Sequence, residues 1–300
     1  MLEWKSETPS KVFVVCIHGL GLCAKAYQAL ALELSHIGVE GYAVNVRGFG
    51  PDRNKAEFTK LNCLETVKDL SVLLRNIRRE HPDYRIILIG ESMGATLAIR
   101  IARESPDLID GLVCSAPAWK LLKMRQTAVK GIFEMFLVPE NEPGPASRSL
   151  IKQTSEDIDL QEHLLVDPSH KLRLTLSEAK AFLSFISKTD DDAKSVKTPV
   201  IILQGLKDQL VSPRAVAKIY KDIAASEKTF LIDGQGEHLL LEEGRFSGVL
   251  VEKLNDWIKN DSLSHRGPEI EVIHNEALTA KERQKLSDLV RLASTRDKQK

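Results

Sequence analysis

The stretch that decides the fold is RIILIGESMGATLAIR, residues 85–100. The four apolar residues 86–89 are typical of a buried strand, and the segment after the turn has the spacing of a helix. Between them lies Gly-x-Ser-x-Gly, formed by Gly90, Ser92 and Gly94. The two glycines lack a Cβ and let neighbouring backbone pass close by. A serine at so sharp a strand-to-helix turn stands above the carboxyl edge of a sheet, at a helix N-terminus that favours developing negative charge. The stretch therefore predicts a nucleophile elbow, with Ser92 as the nucleophile, rather than an ordinary glycine–serine loop.

Outward from this elbow, predicted strands and helices alternate along the chain. The predicted strands are residues 11–17, 41–46, 86–89, 112–115, 198–204 and 228–232. The predicted helices between and after them are residues 26–36, 63–80, 95–102, 214–223 and 246–258. This alternation is typical of an α/β fold, in which helices cover both faces of a mostly parallel sheet.

The alternation stops between residues 117 and 197, which have a helical pattern and contain the proline-rich break PENEPGP. We interpret residues 117–197 as a helical cap (lid) over the carboxyl edge of the sheet, inserted into a core of residues 1–116 and 198–260. Residues 261–300 are polar and contain no aromatic residue, so we expect a C-terminal tail outside the core. A capping-box pattern, TAKE at 279–282, is compatible with one helix in this tail, to about residue 293.

Composition and charge restrict the function classes. The 300 residues include 42 basic and 42 acidic side chains, and this balance gives no reason to expect a nucleic-acid partner. The N-terminus lacks a signal-peptide pattern, and no apolar run approaches the roughly 20 residues of a membrane span. Four cysteines without metal-ligand spacing suit a reducing compartment as free buried thiols. We therefore expect a cytoplasmic protein, and the sequence gives no indication of its oligomeric state.

A serine nucleophile needs a general base, and the base needs a third group that orients it. With this elbow, the acid and then the histidine should follow the serine along the chain. His238 lies in the glycine-rich loop GQGEHL after a predicted strand and is the candidate base. The later histidines, His265 and His274, lie in the polar tail.

Two aspartates are candidates for the orienting acid. Asp208 follows a predicted strand through a Gly-x-x-Asp turn, which places it at the same sheet edge as the elbow. Asp233, at the end of the next strand, is the alternative. Residues 190–192 are three consecutive aspartates, which we interpret as a solvated charge run. We favour Asp208.

The tetrahedral intermediate needs N–H donors for its oxyanion. One is the backbone N–H of Met93, directly after the nucleophile. The second should come from the loop HGLG after the first strand, through the N–H of Leu20. In that loop Gly19 and Gly21 act through backbone shape, and His18 is expected to be a structural side chain that fixes the loop.

The same loop carries a competing signal. Residues 19–24, GLGLCA, match the dinucleotide fingerprint Gly-x-Gly-x-x-Ala between a strand and a helix. An NAD-binding oxidoreductase is therefore an alternative from a different class. The expected acidic residue, Glu40, lies ahead of the next strand instead of at its end, and this interpretation leaves the elbow, Asp208 and His238 unexplained.

Four motifs give the chain a family resemblance: HGLG at 18–21, GESMGA at 90–95, LQGLKDQLV at 203–211 and GEHLLLEE at 236–243. With them, residues 12–258 resemble the α/β-hydrolase superfamily, and within it the monoacylglycerol lipase and lysophospholipase group of serine hydrolases. The resemblance implies an α/β-hydrolase fold, a triad of Ser92, Asp208 and His238, an oxyanion hole of Leu20 and Met93, and no metal or organic cofactor. The chain departs from the family pattern at NVRGFGPD (45–52), where the group has Asp-x-x-Gly-x-Gly-x-Ser, and at the glycine pair after the elbow, which is Gly94-Ala95 here.

The cap indicates an apolar substrate. Residues 119–138 form a basic amphipathic pattern that is suited to packing on the core or to lying at a membrane interface. We expect this segment to roof an acyl site and to contact lipid transiently when it opens. The candidate acyl-site and cap residues are Trp119, Leu122, Val129, Ile132, Phe133 and Phe136.

Together these features predict a serine hydrolase that cleaves carboxylic esters of single-chain lipids, such as monoacylglycerols, through an acyl-enzyme. A lysophospholipase, an acyl-thioesterase, a small-ester carboxylesterase and a peptide hydrolase use the same machinery and stay open as alternatives. A catalytically silent binding protein with a hydrolase fold is the alternative outside enzymes, although an intact triad argues against it.

Overall fold

The computed structural model describes residues 1–122, 145–259 and 267–294 of the chain. Within these residues the strands are β1 (Leu2–Trp4), β2 (Val12–Ile17), β3 (Glu40–Val44), β4 (Arg85–Glu91), β5 (Gly111–Ser115), β6 (Val200–Gly205), β7 (Lys228–Asp233) and β8 (Glu269–Ile273). They form one sheet in the order β1-β3-β2-β4-β5-β6-β7-β8. The edge strand β1 is antiparallel to β3, and every other neighbouring pair is parallel.

Helices connect the strands. The α-helices of the described residues are α1 (Gln28–His36), α2 (Cys63–Glu80), α3 (Met93–Glu104), α4 (Pro145–Thr154), α5 (Ile158–Val166), α6 (Leu176–Ile186), α7 (Thr189–Ala193), α8 (Pro213–Asp222), α9 (Gly248–Lys259) and α10 (Ala280–Ser294). Short 3₁₀ helices span Ala24–Tyr27, Pro51–Asn54, Ala56–Phe58, Pro106–Leu108 and Glu242–Gly244. Over the described ranges, no helix combines the length and the apolar content needed to cross a bilayer.

Both faces of the sheet are buried under helices. Since successive strand residues point to opposite sides, alternate side chains of one strand enter two different apolar clusters. In β2, Phe13 and Val15 join an apolar cluster with side chains of α2, α3, α6, α8 and α10. Val14 and Cys16 join a second cluster, with side chains of α1 and α9. Continuous apolar strands of this kind are typical of parallel sheets covered on both sides. The α/β fold predicted from the alternation is therefore confirmed.

The parallel arrangement brings the predicted site residues to one edge. β4, β6 and β7 are parallel neighbours or near neighbours, so their carboxyl ends lie on the same side of the sheet. Ser92 directly follows β4, Asp208 follows β6, and the loop carrying His238 follows β7. Ligand sites of open α/β sheets lie at this edge.

Between β5 and β6, the part of the chain that the structure describes forms helices α4 to α7. This insertion is tied to the loop after β3. The guanidinium of Arg53 donates to the three backbone carbonyls of residues 168–170, and the carboxylate of Glu178 accepts from the N–H of Leu61 at 2.7 Å. The lid function assigned to residues 117–197 stays a prediction.

The acidic run at residues 190–192 departs from the expectation of a solvated patch. Asp192 is 2% exposed and accepts from Arg100 and Arg103, each at 2.6 Å. Asp190 forms an ion pair with Lys218, whereas Asp191 is largely exposed. The run therefore fixes α7 against α3 and α8, because the buried guanidinium of Arg100 needs a buried counter-charge.

The C-terminal segment also departs from the expectation of a separate tail. Glu269–Ile273 is strand β8, which extends the sheet beside β7. Helix α10 begins with the predicted capping box, in which Thr279 and Glu282 exchange hydrogen bonds, and it buries Leu289 and Ala293 in the core cluster. The strand was not predicted because its sequence, EIEVI, is short and alternates charged and apolar residues only at its start, and its pairing partner lies about 40 residues away.

Candidate active site

The elbow has the strained geometry that its sequence predicts. Ser92 lies between β4 and α3 with φ 55° and ψ −113°, in a region that non-glycine residues rarely adopt. The flanking glycines are required by close backbone contacts. A Cβ on Gly90 would lie 2.3 Å from the carbonyl atoms of Gly94, and a Cβ on Gly94 would lie 1.9 Å from the carbonyl oxygen of Ile17. The turn therefore forms only with small residues at both positions.

Strand β5 fixes the backbone of the serine. The N–H of Ser92 donates to the carbonyl of Ser115 at 2.8 Å, and its carbonyl accepts from the N–H of Ala118 at 3.1 Å. The serine is 7% exposed, and its side chain makes no capping bond to α3. The hydroxyl is consequently not committed to its own helix and can meet a base.

Asp208 and His238 form a buried pair. His238 Nδ1 lies 2.9 Å from Asp208 Oδ2. The other carboxylate oxygen accepts from the N–H groups of Leu210 and Val211, and Gln204 donates to Oδ2. Since an ionised carboxylate only accepts hydrogen bonds, this donor set places the proton on Nδ1 of the imidazole and leaves Nε2 as the basic nitrogen.

The charges around this pair favour the protonated form of His238. Burial opposes the charged imidazolium, but the charge and hydrogen bond of Asp208, together with the Glu91 carboxylate, outweigh it and raise the pKa of His238 above its ordinary value. The rival Asp233 has other partners. Its Oδ1 accepts from the N–H groups of residues 235 and 236 and lies 3.1 Å from Nδ1 of His274. The structure thus brings Asp208, and not Asp233, to His238.

His18 forms hydrogen bonds on both sides of the loop that follows β2. Nδ1 of His18 lies 2.7 Å from the carbonyl oxygen of Gly19, and Nε2 accepts from the N–H of Val46 at 3.0 Å. Burial lowers the pKa of His18 to about 4, so the ring is neutral and can donate with one nitrogen and accept with the other. Gly21 has φ 93°, a conformation that favours glycine.

One candidate oxyanion donor, Met93, directly follows the serine, and the loop that carries the other, Leu20, passes close to it. A Cβ on Gly19 would lie 3.6 Å from Cβ of Ser92, which shows how close the HGLG loop passes to the elbow. Within the described ranges, neither the N–H of Leu20 nor the N–H of Met93 donates a hydrogen bond to another group. Both donors are therefore uncommitted within the described residues.

Two carboxyl groups at the site were missed by sequence reasoning. Glu91, the variable residue of the elbow motif, accepts from the N–H groups of residues 240–242 and from the hydroxyl of Ser115. Glu242 accepts from the N–H of Gly19 at 2.8 Å. Both are fully buried. The only signal in the sequence is that each carboxyl adjoins a motif or an apolar run, and that pattern alone does not distinguish a buried carboxyl from an exposed one.

The predicted cap residues lie partly within the described residues. Trp119 is partly buried against the core and carries the ammonium groups of Lys120 and Lys218 over its ring. Leu122 is 36% exposed, and its N–H donates to the carbonyl of Leu210. The other four candidates, Val129, Ile132, Phe133 and Phe136, lie outside the described residues. The acyl-site role of this segment stays a prediction.

The geometry does not favour the dinucleotide alternative. In a Rossmann fingerprint the glycine-rich loop leaves its backbone free for a pyrophosphate. Here the N–H of Gly19 is bonded to the Glu242 carboxyl, and Glu40 begins β3 instead of ending it.

All four cysteines are free and buried, and over the described ranges no group of acidic, histidine or cysteine side chains could hold a metal ion.

Sheet topology, elbow and the aspartate–histidine pair define an α/β-hydrolase. The chain belongs to the family described as serine aminopeptidase, S33, whose model matches residues 8–245. It is 21% identical over 263 residues to monoglyceride lipase of Mus musculus, with 86% of this chain and 85% of the relative covered.

Solved structures share the fold. The monoacylglycerol lipase of Paleococcus ferrophilus superposes with a TM-score of 0.68 at 22% identity, covering 89% of this chain and all of the other. A soluble variant of monoglyceride lipase from Saccharomyces cerevisiae, in complex with a substrate analogue, gives 0.70 at 18% identity, covering 88% and 92% of the two chains. These superpositions show the shared fold, and the family match together with the monoglyceride lipase relatives confirms the resemblance to the monoacylglycerol lipase group and to carboxylic ester hydrolases.

Proposed function

We propose that this protein hydrolyses esters of single-chain lipids, with monoacylglycerols as the preferred class, through a covalent acyl-enzyme on Ser92. The observation that carries the proposal is the buried Asp208–His238 pair at the sheet edge where the strained Ser92 also lies. Relatives named monoglyceride lipase support the substrate class. The catalytic roles rest on the geometry of the site.

The proposed reaction has two halves. Nε2 of His238 takes the proton of the Ser92 hydroxyl as the serine oxygen attacks the ester carbonyl, and the N–H groups of Leu20 and Met93 stabilise the resulting oxyanion. The imidazolium then protonates the leaving glycerol, which leaves the acyl group on Ser92. In the second half, His238 activates a water that releases the fatty acid and restores the serine. Asp208 keeps the imidazole in one tautomer and stabilises its charged form.

The described part of the insertion supports a lipid substrate met at a surface. Three large apolar side chains on its helices are strongly exposed: Ile158 at 68%, Val166 at 75% and Leu176 at 63%. We propose that residues 117–197 act as a lid, that this lid contacts membranes transiently, and that the enzyme is cytoplasmic and peripheral. Lysophospholipids, acyl thioesters and small esters would use the same triad and are the competing substrates.

The decisive experiment compares fatty-acid release from long- and medium-chain monoacylglycerols with release from lysophosphatidylcholine and short p-nitrophenyl esters. Ser92→Ala is expected to lose activity by about 10⁶-fold in kcat. Ser35→Ala is the matched control, because that exposed hydroxyl donates to the carbonyl of Leu32 within its own helix. Labelling by a fluorophosphonate should disappear in Ser92→Ala alone. Preference for short esters would overturn the lipid assignment, and labelled Ser92→Ala protein would overturn the nucleophile.

A further inference from the structure

Two buried carboxyl groups outside the triad link the elbow, the histidine loop and the oxyanion loop. Glu91 precedes the nucleophile, and Glu242 lies four residues after His238. Both side chains are fully buried. The proposed reaction uses neither as acid, base or nucleophile, so their place in the interior needs a reason.

The two carboxyls differ in what they bind. Glu91 accepts from three consecutive backbone N–H groups, those of residues 240–242, and from the hydroxyl of Ser115. These donors suit a carboxylate and hold the residues that follow His238 against the elbow strand. Glu242 accepts a single hydrogen bond with Oε1, from the N–H of Gly19. Its Oε2 is buried and has no hydrogen-bond partner among the described residues.

Glu242 thereby touches the loop that offers the second oxyanion donor. Its Oε2 lies where a Cβ on Gly19 would be 2.9 Å away, and the same Cβ would be 3.6 Å from Cβ of Ser92. The peptide that Glu242 holds is directly followed by Leu20, whose N–H is the candidate donor. The position of that donor relative to Ser92 is therefore set from one side by His18 and from the other by Glu242.

We propose that Glu242 is a positioning residue of the oxyanion hole, which fixes the HGLG loop through its bond to Gly19 while carrying no charge itself. The inference rests on the proposed esterase function. In this inference Glu91 is the charged carboxylate of the pair, and Glu242 is the neutral carboxylic acid. A negative charge on Glu242 would oppose the oxyanion that the adjacent loop stabilises.

The surroundings of Glu242 agree with the neutral form. The titratable groups that face it are Glu91 from β4, Cys16 from β2, Cys23 and Tyr27 from the turn after β2, and the neighbouring Glu243. Each of these groups is neutral or negative, and none supplies a positive charge. Burial first, and then the charge of Glu91, raise the pKa of Glu242 well above its ordinary value. Burial raises the pKa of Glu91 too, but there the hydrogen bonds from Ser115 and the backbone and the charge of His238 oppose the rise.

Two substitutions at position 242 separate the hydrogen bond from the charge. Glu242→Gln keeps a carbonyl acceptor for Gly19 and is neutral at every pH. Glu242→Leu has a similar volume but offers no acceptor. Glu243→Gln is the matched control, because that neighbouring carboxylate forms its ion pair with His163 of the insertion. Each protein is assayed on p-nitrophenyl butyrate and analysed by amide hydrogen exchange of the peptide covering residues 18–23.

We expect Glu242→Leu to lose about 10- to 100-fold in kcat with KM within about 3-fold, since removal of a whole oxyanion donor costs about 10²–10³. Amide exchange at residues 19 and 20 should accelerate in this variant alone. Glu242→Gln and Glu243→Gln should stay within about 3-fold of the wild-type kcat.

Three results would overturn the inference: wild-type kcat in Glu242→Leu, an equal loss in Glu242→Gln, or unchanged exchange at residues 19 and 20. Failure of the proposed function looks different, because wild-type protein would then release no product from any ester. The difference in amide hydrogen exchange between Glu242→Leu and Glu242→Gln would still decide whether the carboxyl group holds the HGLG loop.

Discussion

Gly94→Ala tests whether the elbow and the oxyanion loop are held at one fixed distance. A methyl group at this position would lie 1.9 Å from the carbonyl oxygen of Ile17 and 2.9 Å from that of His18. Side-chain carbons essentially never come within 3.0 Å of such atoms, so the backbones must separate by at least 3.0 − 1.9 = 1.1 Å. Ile17 directly precedes the HGLG loop, and His18 is the first residue of that loop.

The separation cannot be absorbed by a flexible side chain, because every contact is with backbone. Ile17 is paired to Gly90 in the sheet, which ties the end of β2 to the end of β4. The movement must therefore shift the N-terminus of α3, and with it the N–H of Met93, away from the loop that carries Leu20. A misplacement of about 1 Å in a catalytic arrangement costs about 10²-fold in rate.

We expect Gly94→Ala to lower kcat/KM for p-nitrophenyl butyrate by about 10²-fold and to lower the unfolding free energy by about 1–3 kcal/mol, the usual cost of overpacking. Gly248→Ala is the control, since a Cβ there meets no atom within 4 Å. Folded Gly94→Ala protein with wild-type kcat/KM would refute the reasoning, because the reacting groups would then tolerate a displaced elbow.

Three further predictions concern single side chains. Asp208→Asn should lower kcat by about 10⁴-fold. It should also move the acidic limb of the pH profile of kcat/KM to lower pH, because the pKa of His238 falls without its carboxylate partner. An acidic limb at the wild-type pH would contradict the pairing of Asp208 with His238. Glu242→Gln should become more stable relative to wild type as pH rises above the ordinary glutamate pKa, because the buried wild-type carboxyl keeps a proton that the unfolded chain releases. The difference in unfolding free energy, measured by urea titration, should grow by up to about 1.4 kcal/mol per pH unit. A difference that does not depend on pH would contradict a neutral Glu242. Lys285→Met should cost about 1–3 kcal/mol of unfolding free energy, since the ammonium of Lys285 donates to the carbonyl of Leu206 in the acid loop; unchanged stability would show that the C-terminal helix does not support that loop.

The elbow could be predicted because its determinants are local. Buried strand, tight turn and helix follow one another within 16 residues, and a Cβ on Gly90 would meet Gly94 and Ala95 of the same turn, whereas Gly94 is also required by the distant Ile17 and His18. Asp208 and His238 could be placed because strand ends in a parallel sheet share an edge. Choosing Asp208 over Asp233 relied on turn position, and the structure gives each aspartate its own histidine.

The parts that escaped prediction depend on contacts between distant segments. Strand β8 exists because β7 offers an open edge, which EIEVI does not reveal by itself. The bond between Gly19 and Glu242 spans 223 positions. Asp192 lies within an acidic run, and only its proximity to two arginines of α3 makes its burial favourable. A single sequence does not reveal which of its distant segments come into contact.

The site uses three buried acidic side chains for three purposes, and their donors explain the difference. Asp208 receives three N–H groups besides the imidazole, which keeps its charge where the imidazolium forms. Glu91 receives three N–H groups and a hydroxyl, and its charge lies beside the histidine loop, where it also favours the charged histidine. Glu242 receives one N–H and lies beside the oxyanion loop, where a second negative charge would oppose catalysis. Charge at this sheet edge is thus concentrated on the histidine side of Ser92 and withheld from the oxyanion side, which is the polarity that ester attack requires.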